Sequence, residues 1–446
     1  MGFSHRVRRA VLFAALTAHL AQPLHGLAQV AADPAAARRP IVDAAANGVP
    51  LVHIVAPSGA GVSHNLYQQL NIDPRGLVLN NSAGIVATQL GGLVPGNPQL
   101  GAPARVILNE VTGSAASMLR GYAEIAGSRA ELVIANPNGI TCAGCGFINA
   151  SRGVLTTGTP VFGPLGTLDA FDVRRGLVTF EAAGLNARNI EQVDVLARAI
   201  VANAEVWANT LNLVAGANRV DYPSLSATPI AGAGAPPAYA LDVAAIGGMY
   251  ADRIRLIGTE AGLGVNNRGV LQTLAGEMTL TAEGRLVNSG QLAAAGAMSI
   301  RAADDVHNGG RLAATGPISI RTAGAVQNAG TAYAQGALDV TARGALANTG
   351  VLAAAGHVTL DAASLASSGT LAAGVAPDGT LMQPGASGTL GVRVDGTASL
   401  AGGQAAAGGD LRIAGAAVDA GAARLAARRA VARGAASGGE IGSAHV

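Results

Sequence analysis

Lysine is absent from this chain of 446 residues, so every strongly basic side chain is an arginine, and charged residues of both signs amount to only 13%. We read the missing lysine as codon bias. The formal net charge of +2 gives no electrostatic argument for nucleic acid or for an anionic membrane surface. Aromatic residues are equally scarce, at 3% with a single tryptophan. A globular core of this size ordinarily draws on Phe, Tyr and Trp, which bury the most area per side chain. Half of the residues are nevertheless hydrophobic, and Ala, Val, Leu and Ile supply most of them. Such a core suits a narrow interior with strands set close together. The only cysteines are Cys142 and Cys145. With no His-x-x-His and no second cysteine pair nearby, they lack the two further ligands a metal would need. Neither a metal nor a cofactor is expected.

What is present begins with an export signal. Arg6, Arg8 and Arg9 precede an apolar stretch over residues 10–21 that is too short to span a bilayer. Gly26-Leu27-Ala28 supplies small residues where a signal peptidase inspects the chain, so residues 1–28 are expected to be a signal peptide cut after Ala28. Downstream there is no run of eighteen apolar residues, and the mature chain is expected to be soluble after export. In an exported protein, Cys142 and Cys145 read first as a local disulfide closing a small loop. Redox catalysis would need a thioredoxin-like βαβ unit, which is not seen.

The strongest internal signal is a 20-residue period. Gly276, Gly296, Gly316, Gly336 and Gly356 are spaced by twenty, and two residues after each stand Met278, Met298, Ile318, Leu338 and Val358. Two further on stand Leu280, Ile300, Ile320, Val340 and Leu360, with Thr279, Ser299, Ser319, Asp339 and Thr359 between the two columns. Apolar, polar, apolar is a strand with one buried face. Twenty residues make one coil of a solenoid, and the dense leucine pattern of leucine-rich repeats is missing, which leaves a parallel β-helix. A lone coil must order about twenty backbones at roughly 1–2 kcal/mol each and buries too little to offset that. Stacked coils bury their columns against each other and pair backbones about 4.8 Å apart. The glycine columns fit turns that need positive φ or close backbone approach. Asn288, Asn308, Asn328 and Asn348 form another column at the same spacing, each two residues before a Gly. That column fits an internal amide ladder, and it fits a plain Asn-x-Gly turn equally well.

Residues 41–225 lack the strict period but hold short β-branched runs at 76–79, 105–108 and 132–135, which suit irregular coils with inserted loops. The Pro- and Gly-rich stretch 227–237 is the clearest break, so residues 226–240 are expected to be a loop or linker and 241–400 the regular coils. From about Ala401 the repeat decays into Ala and Gly. Arg424, Arg428, Arg429 and Arg433 among alanines suggest that 401–446 holds a short helix, covering an open strand edge, or a disordered tail. About eighteen coils would span roughly 80–90 Å.

Several segments resemble one family. Residues 48–84, with Ser63-His64-Asn65 and Gly76-Leu77-Val78-Leu79-Asn80-Asn81, resemble the start of the secretion domain of filamentous haemagglutinins. Ile-Leu-Asn-Glu-Val-Thr-Gly at 107–113 continues the resemblance, and Asn136-Pro137-Asn138-Gly139-Ile140, followed by Phe147-Ile148-Asn149, is similar to that domain's most recognisable motif. Residues 184–222, ending Gly216-Ala217-Asn218-Arg219-Val220-Asp221-Tyr222, and then Gly247-Gly248-Met249-Tyr250 look like its continuation, so that the likeness covers roughly 40–370. It implies an all-β, right-handed parallel β-helix with an N-terminal cap and extra-helical loops, and a two-partner secretion domain over 40–225. It also implies partners: Sec machinery for the first membrane, then a dedicated outer-membrane β-barrel transporter whose periplasmic POTRA domains bind the chain extended. The chain would fold outside the cell, each closing coil releasing free energy that biases movement outward. Where the family often has a second Asn-Pro-Asn-Leu motif, this chain reads Asn97-Pro98-Gln99-Leu100, which puts a direct recognition role of the third residue in doubt.

The secretion motif has a structural explanation as well as a functional one, since Asn and Gly accept positive φ and Pro fixes φ in a tight turn. His53, His64, His307 and His357 are scattered without metal spacing. A Gly-x-Ser-x-Gly elbow, a phosphate loop, paired carboxylates and an Arg-Gly-Asp triplet are all missing, and Asp304-Asp305 reads as a solvated loop. No catalytic residue is expected. The expected function is a secreted or surface-exposed adhesin-type exoprotein that reaches the surface via the periplasm, with a host glycan or protein receptor that sequence does not name. The alternatives are the stalk or truncated N-terminal part of a contact-dependent toxin or haem-acquisition exoprotein, and a β-helix enzyme acting on polysaccharide. The enzyme would need calcium-binding carboxylates and a basic residue in a cleft, and the repeats show no such cluster.

Overall fold

Alternating side chains set the strands, and the strands stack. The computed structural model describes residues 29–376 and 388–436. The signal-peptide reading of residues 1–28 and the last ten residues of the expected tail lie outside them. In the regular region each turn has three short strands, as in Met298–Ala302, Val306–Asn308 and Arg311–Ala314. Each pairs in parallel with its copy one turn on: Met298 with Ile318, Val306 with Val326, Leu312 with Ala332. A slip of one residue would turn every aliphatic column outward, so the burial pattern holds the register. One cluster of buried side chains, mostly aliphatic, runs the length of the molecule from Val30 to Ala427. Tyr67, Phe147 and Phe180 are among its largest fully buried side chains and belong to its N-terminal half.

The glycines serve close approach in this stretch. A Cβ on Gly310, Gly330 or Gly350 would sit 2.0 Å from the carbonyl oxygen of Gly290, Gly310 or Gly330 one turn earlier. Gly276, Gly296, Gly316, Gly336 and Gly356 are not among the positive-φ residues, and their Cβ positions would also crowd the preceding turn.

Antiparallel elements interrupt the stack at defined places. At the N-terminal end Val30–Ala32 lies antiparallel to Val62–Leu70, and Ile41–Ala44 antiparallel to Pro50–His53. A hairpin of Val86–Thr88 and Gly92–Val94 packs on the outside through Val86, Leu90 and Val94. A four-stranded antiparallel sheet, built from Thr159–Phe162, Leu168–Val173, Asn218–Asp221 and Ala227–Pro229, covers one outer face. Its Leu168, Phe171, Val173 and Val220 pack on Leu108, Val133, Val154, Leu196 and Val214.

Three expectations are corrected. The solenoid has about fifteen turns, not eighteen, because the cap, the hairpin and the outer sheet consume chain outside the coils; its length is roughly 70 Å. Residues 226–240 are not wholly a loop, since Ala227–Pro229 is a strand of the outer sheet. The arginines at 424, 428, 429 and 433 are in a strand, Arg424–Ala436, paired in parallel with Gln404–Asp419, rather than in a helix or a disordered tail.

Candidate functional site

The strand Ala130–Ala135 ends at a tight corner made by Asn136-Pro137-Asn138-Gly139, and Ile140–Cys142 starts the next side of the coil. Asn136 is fully buried. Its Nδ2 donates to the Ala115 carbonyl and to Ser117 Oγ, both at 3.0 Å, and its Oδ1 accepts the Asn138 amide at 2.9 Å. The Gly139 amide closes the turn onto the Asn136 carbonyl at 3.0 Å. Asn138 Nδ2 reaches the Gly113 carbonyl at 2.7 Å. Gly139 has φ +118°, a conformation L side chains rarely adopt. Ile140 is buried in the main core. Asn136 and Asn138 therefore tie this corner to the coil before it.

Asn97 repeats the device in an earlier coil. It is 2% exposed; its Nδ2 donates to the carbonyls of Ile54 (2.8 Å) and Asn80 (2.9 Å), and its Oδ1 accepts the Gln99 amide at 2.9 Å. Pro98 holds the middle of the turn. Gln99, which stands where the family motif has Asn, still reaches a backbone carbonyl, that of His53, at 3.1 Å. The Asn97 amide bonds the Ser82 carbonyl at 2.7 Å, closing the base of the 86–94 hairpin. The buried Glu124 carboxylate accepts the Gln89 and Leu90 amides at 2.6 and 2.7 Å at that hairpin's tip. The two Asn-Pro turns share a chemistry but not a place, since Asn97 bonds to residues 54 and 80 and Asn136 to 115 and 117.

Cys142 and Cys145 form a disulfide across the next corner after the Asn136 turn, with Cα atoms 5.3 Å apart. Further along, the asparagine column points inward. Asn288 Nδ2 donates to Asn308 Oδ1 (2.8 Å), Asn308 to Asn328 (2.7 Å) and Asn328 to Asn348 (2.7 Å). The second amide hydrogen of Asn288 goes to the Arg311 carbonyl at 3.3 Å. Asn267 heads the row at 2.8 Å from Asn288 Oδ1, and Ser367 Oγ ends it at 3.1 Å from Asn348.

Sequence reasoning missed a buried charge cluster beneath the outer sheet. Arg152 pairs with fully buried Asp194 and, at 3.3 Å, with Glu131; it also lies 4.3 Å from the Tyr222 ring centre and donates to the Tyr222 carbonyl at 3.0 Å. Burial works against the charge on Arg152, but Asp194 and its other neighbours outweigh it and hold the guanidinium pKa above its ordinary value. Burial pushes the Tyr222 hydroxyl up, and that hydroxyl donates to Glu131. Arg198 makes a two-pronged pair with Glu260 at 3.1 and 2.7 Å and donates to the Ala233 carbonyl at 2.8 Å. His64 Nε2 lies 2.7 Å from Glu110, with its ring 4.9 Å from Phe162. Among the described residues no group of three or more His, Cys, Asp or Glu is placed to hold a metal. The side-chain amides of Asn97, Asn136 and Asn138 bond mainly to backbone, with Ser117 and Arg175 as further side-chain partners of the second turn.

Residues 28–288 match the family described as the TPS secretion domain, and residues 273–330, 313–376 and 385–439 match the haemagglutinin repeat. The chain belongs to the TPS secretion-domain family. The solved filamentous hemagglutinin secretion domain is 34% identical with a TM-score of 0.53, covering 70% of this TPS chain and 96% of that one. Two curated relatives are also similar to this chain. The tRNA nuclease CdiA-2 of Burkholderia pseudomallei is 48% identical over 289 residues, covering 64% of this chain and 9% of that protein. Toxin CdiA of Yersinia pestis is 48% identical over 260 residues, covering 58% of this chain and 8% of that protein. The aligned stretch is thus under a tenth of the length of either relative. The third repeat match takes in the arginine-bearing strand Arg424–Ala436.

Proposed function

We propose that this chain is the exported, surface-directed part of an adhesin-type exoprotein, recognised by an outer-membrane transporter and folded only after it emerges. Sec machinery would deliver it to the periplasm, and the transporter's POTRA domains would hold it extended there. The observation that carries the reading is topological. In the solenoid each coil pairs with the coil just before and just after it in sequence, as Met278, Met298 and Ile318 do, so a chain arriving N-terminus first finds its template already laid down. No coil waits for a distant segment, apart from the outer sheet. The Asn136 turn acts in this scheme by fixing the entry to the disulfide coil, and failure to close that corner would stall the stack. The test is co-expression with a cognate transporter, measuring the chain in the medium and in the periplasm. Asn136→Ala should cut the exported fraction about tenfold, consistent with roughly 1–3 kcal/mol for the buried partners it leaves unpaired. Undiminished export of this variant would remove the motif from the secretion scheme.

A second reading is favoured by the two relatives, whose names denote a toxin and a tRNA nuclease. Under it, this secretion domain and its coils present a toxic segment instead of an adhesive surface. Growth of neighbouring cells mixed with producers separates the two: inhibition supports the toxin reading, and host-cell or glycan binding without inhibition supports the adhesin.

A further inference from the structure

The sulfurs of the one disulfide face the interior. Cys142 and Cys145 are 0% and 3% exposed, and both belong to the continuous core. Their corner is closed along the axis from both sides. The Ala143 amide donates to the Leu119 carbonyl at 2.8 Å in the preceding coil, and the Gly144 and Cys145 amides donate to the Gly184 carbonyl at 2.9 and 3.1 Å in the following one. The flanking strands are also held on both edges. Ile140–Cys142 lies between Ser117–Leu119 and Leu177–Phe180, and Cys145–Ile148 between Tyr122–Gly127 and Leu185–Ala197. Thiol–disulfide exchange requires direct approach of a thiolate to a sulfur. In the closed stack that approach is blocked until neighbouring coils part.

We infer that the Cys142-Ala143-Gly144-Cys145 segment is a substrate for a disulfide-bearing oxidant that acts on the chain before these coils close, and that folding then seals the product. The segment is suited to this order of events. Only two residues separate the cysteines, so their encounter needs little loop closure and no tertiary contact. One cysteine thiolate attacks the oxidant's disulfide, forming a mixed disulfide and expelling one thiolate of the oxidant. The second cysteine thiolate then attacks the protein sulfur of that mixed disulfide, making the Cys142–Cys145 bond and expelling the oxidant's second thiolate. Two protein thiols are oxidised, one oxidant disulfide becomes a dithiol, and the two protons pass to the expelled thiolates. A chain that folds oxidised stays oxidised, and one that folds reduced stays reduced. The inference deepens the export reading by placing oxidation upstream of folding, in the compartment where the chain is still extended.

The test uses the purified mature chain and involves no secretion step. Oxidised native protein and the same protein in guanidinium are incubated with a phosphine reductant, and free thiols are counted by a mass-shifting maleimide after denaturation. A Cys142→Ser/Cys145→Ser variant gives the blank. Reduction of the native sample should be slower by about a hundredfold or more, as expected when reaction waits for local opening. A chain refolded under reductant and then given glutathione disulfide should likewise keep its thiols while its denatured counterpart loses them. Equal rates in native and denatured samples would overturn the inference and leave the secretion reading standing. Should the reduced chain fail to refold, the first arm, which starts from the oxidised native protein, decides alone.

Discussion

A buried amide is costly unless its donors and acceptor are used, and Asn288, Asn308, Asn328 and Asn348 meet that demand along their row, whereas the Oδ1 of Asn267 at its head has no partner among the described residues. Asn308→Ala would leave Asn288 Nδ2 and Asn328 Oδ1 without their present partners. We expect it to lower the unfolding free energy by about 2–5 kcal/mol, read from urea denaturation. Asn348→Ala, whose far partner is the Ser367 hydroxyl, should cost less. Equal, negligible effects would mean the row is decorative. His53 offers a pH test. It is buried, burial holds its pKa below the ordinary imidazole value, and its Nδ1 lies 3.3 Å from Asn80 Nδ2. The unfolded chain takes up a proton near pH 6.5 while the folded chain resists it, so this site costs stability as pH falls below that value. Melting temperature should fall between about pH 7 and about pH 5 in the native chain and fall less in His53→Gln.

At the scale of elements, the alternation of Met278, Thr279 and Leu280 made the regular coils legible, because a period of two within a period of twenty has few other solutions. The arginine-bearing strand was not legible. Arg424 and Arg428, then Arg429 and Arg433, repeat at four residues among alanines, which suits a helix. What makes them a strand is a template outside the local sequence, the edge of Gln404–Asp419, on which Leu425 meets Ala405 and Ala430 meets Leu411. The outer sheet was hidden for a similar reason: Leu168–Val173 and Asn218–Asp221 are neighbours in space with further coils between them in sequence. At the candidate site, residues 136–140 stood out through their resemblance to the family motif, and turn chemistry explains why Asn136-Pro137-Asn138-Gly139 makes a corner. Asn267 escaped because it stands 21 residues before Asn288 and so falls off the column, and Arg152 with Asp194 escaped because residues 42 apart carry no local motif. Arg198 joins one such outer segment to the coils, so Arg198→Ala should speed cleavage between residues 230 and 238 by about tenfold in limited proteolysis while the β-sheet circular dichroism stays. Unchanged cleavage would show that the loop is held by other means.

For the molecule as a whole, stability is a sum over neighbouring coils, and the period is the unit of tolerance. Removing residues 309–328 joins Asn308 to Ala329 and keeps every column in step. That deletion should fold, with a modestly lower midpoint. Removing residues 309–318 joins Asn308 to Ser319 and sets the aliphatic columns against polar ones. Its C-terminal coils should lose hydrogen-exchange protection while the N-terminal ones keep it. Equal protection in both deletions would mean that the register is not held by the buried columns.

The reversed strands at the N-terminus give this rod a direction. Pro50–His53 and Val62–Leu70 each carry an antiparallel neighbour, Ile41–Ala44 and Val30–Ala32, on the side away from the stack. No parallel rung can be laid against an edge already taken by a strand running the other way. On these two strands the following coil is therefore laid against the opposite edge, where Leu51 pairs with Val78 and Val62 with Val106. A stack begun on such a cap is lengthened by inserting further coils on its C-terminal side.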